Sequence, residues 1–232
     1  MSTREVREVA LRAMRAAGAS AGEAAAVANL VLMAEVQGWG GLAVLRQELD
    51  AGPNSAAATS QVHDGVLVVD ADPCRGPLRL GVSVFDLVAA RASRGSRADL
   101  FVRGLGFRQA FRCLALELVE RVGGTTVLAE FDDSGAATAG LVCTADGCVR
   151  AADLAEFDRH LPAGARAVSG GLYVSNARGD ELSAFQWPVI STTGQRERNR
   201  IDAINNGRHV EEASWNAAHR ASRGFLIAEP AK

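Results

Sequence analysis

Two groups of side chains in this sequence have the types and spacing to do chemistry. The first is titratable. His209, Glu212 and His219 fall on the segment predicted as the last helix, Arg208–Ser222, with His209 and Glu212 one turn apart. An imidazole and a carboxylate at that spacing share a helix face and can work as a general acid/base pair. His63, followed by Asp64 just after a small-residue loop, is the independent alternative. The second group is cationic. Arg103 and Arg108 flank Gly104-Leu105-Gly106, ahead of a helix predicted from Phe107. The unpaired N–H groups and dipole of a helix start would favour an anionic small-molecule group there. The remaining candidates read as structural. His160 ends a predicted helix, where a cation suits the dipole; Trp39 and Trp215 read as packing anchors; Arg178-Gly179-Asp180 reads as a hairpin turn.

Several chemistries are closed off by one absence: the only lysine is Lys232. No interior Schiff base can form, which excludes pyridoxal-phosphate and class I aldolase mechanisms. A GxxxxGK[ST] phosphate loop and a Ser–Lys nucleophile pair are excluded too. The single Tyr173 has no Lys four residues on, so a Tyr–Lys reductase site is absent. Cys74, Cys113, Cys143 and Cys148 form no CxxC unit, although Cys143 and Cys148 could face each other across a hairpin. Four dispersed Cys and four dispersed His supply no ligand cluster, so the expectation is metal-free protein with free thiols. A net charge of −2, with Glu197, Asp202, Glu211 and Glu212 interleaved among the arginines of 196–223, argues against nucleic acid. The apolar run Val27–Val36 is too short for a bilayer and is interrupted by Asn29 and Glu35. The polar start Met-Ser-Thr-Arg-Glu lacks a signal peptide's apolar stretch, so the cytoplasm is expected.

The elements that must position these residues begin with helices. Thr3 is a plausible cap for a helix over 3–17, with Val6, Val9, Ala10, Ala13 and Met14 on one face. Ser20 caps a second helix to about Gln37, and Glu23 completes a capping box. Gly38-Trp39-Gly40-Gly41 makes a sharp turn into a short helix, Leu42–Leu49, and residues 51–60 form a linker or lid. Then come a strand at Gly65–Asp70, a helix at Phe85–Ala92, a strand at Leu100–Val102 and the helix Phe107–Val122. Thr125–Phe131 and Ala137–Cys143 pair across Asp132–Gly135, and Asp146-Gly147 marks a second turn. A helix near Ala152–His160, a pair Gly171–Ser175 with Glu181–Trp187, the last helix and an extended Phe225–Ala228 complete the chain. Hydrophobic content of 48% against 22% charged residues suits one buried core. Tight strand pairs without regular βαβ alternation indicate an α+β fold: a helical N-terminal region over 1–50, then a core over 61–232 built on a mixed, mainly antiparallel sheet with packed helices.

Gly104-Leu105-Gly106 follows a strand and opens a helix, in the order of a dinucleotide-binding unit. The third glycine of that fingerprint is missing at the usual spacing, and the next strand enters a hairpin. A plain strand-to-helix turn, an anion site and a nucleotide site are the three readings.

The segment from Ala16 through Ser20, Glu23, Glu35 and Gly38-Trp39-Gly40-Gly41 to Leu42 resembles an uncharacterised bacterial domain-of-unknown-function family of similar length. The last helix, with Trp215 leading to Ala221-Ser-Arg-Gly-Phe225-Leu-Ile-Ala-Glu229, is similar to it as well. The opening helices also resemble the start of the malate/L-lactate dehydrogenase family, which has a non-classical NAD-binding fold. Where that family has a Ser-His-Gly turn, this chain reads Gly38-Trp39-Gly40-Gly41, so the family's histidine does not carry over. The chain is also short for a whole dehydrogenase. The expected function is a cytoplasmic small-molecule enzyme, homodimeric through its helical hairpin, running acid/base chemistry on an anionic substrate without an organic cofactor. The alternatives are a catalytically silent binding or partner protein on a dehydrogenase-like scaffold, and an NAD-dependent oxidoreductase.

Overall fold

The computed structural model describes residues 1–52, 58–71, 76–95, 97–151, 154, 161, 165, 169–178 and 187–226. Cys74, His160, most of the helix expected near 152–160, and residues 181–186 of the expected third strand pair lie outside them. The chain divides into two compact units, and the division passes through two helices, after Arg79 and after Arg196.

One unit is helical and gathers the described residues of 1–55, 74–79 and 197–232. Its helices are α1 (Thr3–Ala16), α2 (Ala21–Val36), α3 (Gly41–Asp50), the greater part of α6 (Thr193–Asn206), and α7 (Glu212–Arg223). Ser2, rather than Thr3, caps α1: its hydroxyl accepts from Glu5 N–H, and Glu5 reaches back to Ser2 N–H at 2.8 Å. The box Ser20–Glu23 on α2 forms as its spacing requires. Val6, Ala10, Ala13 and Met14 of α1 are buried, with α1 packed on α2 and α7 and α3 packed on α2 and α7. The helix expected over Arg208–Ser222 begins only at Glu212, and a further helix, α6, precedes it where none was expected. Gly207, at φ 73°, ends α6, and residues 207–211 link it to α7. The segment 197–232 therefore groups with the N-terminal helices and not with the sheet.

The other unit is built on an eight-stranded mixed sheet, an α+β arrangement. Its strands are β1 (Thr59–His63), β2 (Val66–Asp70), β3 (Arg97–Arg103), β4 (Thr125–Phe131), β5 (Ala137–Cys143), β6 (Val149–Ala151), β7 (Gly171–Ala177) and β8 (Val189–Ser191). They lie in the order β1-β2-β3-β7-β4-β5-β6-β8. Only β2 and β3 are parallel, joined through α4 (Pro77–Ala92); the other pairs are antiparallel. β7 pairs along its whole length with β3 on one side and β4 on the other. Strands β3 and β4, linked by α5 (Phe111–Val122), thus run the same way with β7 between them, not side by side as in a dinucleotide-binding unit. One sheet face carries Val66, Val68, Phe101, Val127, Ala129, Phe131, Val142 and Tyr173 in a buried cluster with Trp187. The Tyr173 hydroxyl donates to Asp99 and receives Arg97 Nη2 at 3.3 Å; burial and the adjacent Asp99 charge push its pKa up, so it stays a neutral donor.

The described thiols are free, as expected, but Cys143 and Cys148 are not set opposite each other. In the β5–β6 hairpin Cys143 faces Val149, not Cys148. Cys113, Cys143 and Cys148 are all free. Burial pushes the Cys113 and Cys143 thiols up to about 12, so both remain protonated and unreactive. Among the described residues no three His, Cys, Asp or Glu side chains are placed to hold a metal ion, and no helix is long and apolar enough to cross a membrane.

Candidate functional site

The arginines flanking the glycine loop are already engaged. Arg103, at the end of β3, pairs with Asp70 at 3.0 Å on an exposed edge, a contact worth about 0–1 kcal/mol. The helix expected from Phe107 starts at Phe111, so the predicted helix-start N–H cradle does not form beside Arg108. The Phe107 N–H instead donates to Glu130 Oε1 at 3.1 Å, and Arg108 Nη1 donates to the Phe107 carbonyl. A Cβ on Gly106 would lie 2.9 Å from both Arg108 Nη1 and Glu130 Oε1. The anion held by this loop is therefore the protein's own Glu130 carboxylate. A dinucleotide's pyrophosphate does not fit there, because it would meet that charge and find the donor taken.

The titratable candidates are only partly brought together. His63 sits exposed at the end of β1, 3.7 Å from Asp64 Oδ2, in the sheet unit. His209 lies in the 207–211 link, not on α7, and is exposed. The expected one-turn pairing with Glu212 on a common helix is therefore absent, since Gly207 ends the preceding helix and Glu212 is the first residue of the next. Glu212, Trp215 and His219 do share a stripe of α7, with the His219 ring stacked on Trp215 at 6.0 Å and 20°.

A cluster missed in the sequence lies in the helical unit, at the turn from α2 to α3. Gly38 and Gly40 adopt φ 73° and 67°, which lets the chain reverse sharply after α2. Gly40 offers no side chain to cap α3. Glu35 substitutes for one: its Oε1 accepts the Leu42 N–H at 2.6 Å. The link after α6 brings up Arg208, whose Nη2 lies 3.7 Å from where a Gly38 Cβ would stand. Arg208 N–H donates to the Met1 carbonyl at 2.8 Å, which fixes the link's path. Its guanidinium has Asp202 at 3.6 Å, while Nε is buried and lacks a hydrogen-bond partner among the described residues. Gln37 accepts from Asn199 at 3.1 Å on the same turn.

The electrostatics of this cluster are unusual for the chain. Burial raises the Glu35 pKa above the ordinary glutamate range, opposed by the Leu42 hydrogen bond and by Arg208, and assisted by Glu211. A half-buried acid with a raised pKa beside a guanidinium with an unused donor can both hold an anion and exchange a proton with it. Glu35 was visible in the sequence as the charge that breaks the apolar run Val27–Val36. Nothing local pointed to Arg208 as its partner.

A family described as "Protein of unknown function (DUF3726)" matches residues 1–76. No curated protein matches the chain in sequence. The fold is similar to that of sulfolactate dehydrogenase from Methanocaldococcus jannaschii, at 11% identity and a TM-score of 0.61 over 98% of this chain and 97% of that one. Malate dehydrogenase from Pyrococcus horikoshii OT3 aligns at 9% identity and a TM-score of 0.63, over 98% and 96%. The delta1-piperideine-2-carboxylate reductase of Pseudomonas syringae pvar. tomato aligns at 15% and 0.58, over 95% and 99%. The likeness extends from the opening helices, where the sequence suggested it, to nearly the whole of both chains.

Proposed function

We propose that this chain, with its DUF3726 segment on a dehydrogenase-like fold, is a small-molecule enzyme that runs acid/base chemistry on an anionic substrate. The observation that carries this is the buried, unpaired Nε of Arg208 next to the raised-pKa carboxyl of Glu35. Arg208 anchors the anion. Glu35 in its carboxylic acid form gives a proton to the substrate, and its conjugate carboxylate is then stabilised by Leu42 N–H and Arg208. His209, next to Arg208 in the chain, His219 and Glu212 are the further titratable groups of the same helical unit. His63, Arg103 and Arg108 belong to the other unit and are the alternative acid/base and anion-binding set. The similar solved structures include dehydrogenases and a reductase, which supports an enzyme of small-molecule metabolism. A cytoplasmic homodimer paired through the N-terminal helices belongs to the same proposal.

The test starts from native mass spectrometry of purified protein to find a co-purifying small anion. Arg208→Met should then lose that ligand while Arg103→Ala keeps it. Glu35→Gln and His209→Ala should lower turnover more than binding, since a proton-transfer group acts in the transition state. Retention of the ligand by Arg208→Met would overturn the site. A second interpretation, a silent binding protein, is favoured by the absence of histidine from Gly38–Gly41. It takes over if these variants change binding and no turnover is found.

Two further outcomes follow. Because Glu130 occupies the glycine loop, calorimetry with NADH should show no low-micromolar binding; affinity in that range would return the oxidoreductase reading to first place. Activity should also survive chelation.

A further inference from the structure

We propose that anion binding at the α2–α3 turn is coupled to uptake of a proton by Glu35, so that the site binds anions more tightly as the pH falls. This rests on the Arg208–Glu35 site proposed above and adds how that site is regulated. The charged and titratable groups around it include the Met1 ammonium, which donates to the Arg208 carbonyl at 2.9 Å, and His209, the next residue of the link. Glu35 ends α2 and receives the Leu42 N–H at the start of α3. Arg208 and Glu211 come from the link before α7, and Asp202 of α6 lies 3.6 Å from Arg208. Gln37 and Asn199 are neutral and satisfy each other at 3.1 Å.

With all groups ionised, the carboxylates of Glu35, Asp202 and Glu211 lie around two cations, the Arg208 guanidinium and the Met1 ammonium. An arriving anion would then add a negative charge to an already negative cluster, at short range and partly out of water. Protonating one carboxylate removes that obstacle. Asp202 is more than half exposed and stays hydrated. Glu211 is exposed and accepts the Ser214 hydroxyl at 2.5 Å. Glu35 is the one taken from water, so the proton goes there. Once neutral, Glu35 no longer adds its charge to the field at Arg208, whose buried Nε lacks a partner among the described residues. Linkage then requires the converse: bound anion raises the proton affinity of Glu35 by the same factor that the proton raises anion affinity.

Sulfate is the probe, because its charge is constant across the range. Calorimetric titration between pH ~5 and pH ~8 should show affinity weakening as pH rises, by up to about tenfold per pH unit where Glu35 titrates. Titrations in two buffers of different ionisation enthalpy should report uptake of up to about one proton per sulfate in wild-type protein. This readout needs no substitution to fold. Glu35→Gln should bind sulfate with a nearly pH-independent affinity. A flat wild-type profile, or a slope that survives in Glu35→Gln, overturns the coupling while leaving the anion site in place. Sulfate binding that is absent, or equal in wild type and Arg208→Met, overturns the site and the coupling together.

Discussion

Glu48→Ala is expected to cost about 3–5 kcal/mol, the range for removing one partner of a buried charge pair. The Glu48 side chain is 0% exposed. One carboxylate oxygen accepts Leu78 N–H at 2.7 Å and Arg79 N–H at 3.4 Å; the other accepts Arg79 Nε at 2.6 Å. Leu78 and Arg79 are in the first turn of α4, so a side chain of α3 satisfies N–H groups that no intrahelical carbonyl can reach. The close approach depends on Gly76, where a Cβ would stand 2.1 Å from the Glu48 carboxyl carbon. Truncation removes the acceptor from buried donors and leaves a guanidinium deprived of its carboxylate. Glu48→Gln keeps the shape and one acceptor and should lose less. Urea denaturation of both variants gives the measurement; a loss below about 1 kcal/mol for Glu48→Ala would show that the pair is worth no more than a surface contact.

Gly41→Ala should be the second large effect, at roughly 1–3 kcal/mol or more. Gly41 opens α3 against α2, and a Cβ there would lie 2.2 Å from the Val31 carbonyl oxygen, so backbone must move. That movement would also carry the Leu42 N–H away from Glu35, and anion binding should weaken with stability. Gly22, in the first turn of α2, has nothing within 4 Å of its added Cβ. Gly22→Ala should therefore be neutral or stabilising, by up to about 1 kcal/mol. Equal melting temperatures for the two variants would contradict the close α2–α3 packing.

The features that were legible in the sequence are those written into short spacings. The Ser20–Glu23 box, the turn through Gly38 and Gly40, and the Asp132–Gly135 hairpin each bring together atoms within a few residues. So was α1, whose apolar face repeats at helical period, while α2, apolar on every side, was legible through its capping box. Errors began where a local signal had competitors. Phe107 looked like a helix start because glycines preceded it, yet Glu130 captured its N–H and α5 began at Phe111. The last helix was placed from Arg208, whereas residues 207–211 are a link after the positive φ of Gly207, and α6 before it was not expected. Strand β1, fully exposed, carries no apolar alternation to announce it.

By itself the sequence determined the opening helices, the β4–β5 hairpin, the exclusion of lysine-dependent chemistry and the absence of a histidine at the α2–α3 turn. Each follows from residue identity or from contacts along the chain at i to i+4. Tertiary structure alone decided three other things: β7 lies between β3 and β4, Glu130 fills the glycine loop, and Arg208 reaches the turn at Gly38. These pair residues far apart in the chain, and no spacing pattern encodes them. They are selected only when burial of the sheet and helix faces offsets the entropy of closing the long intervening segments.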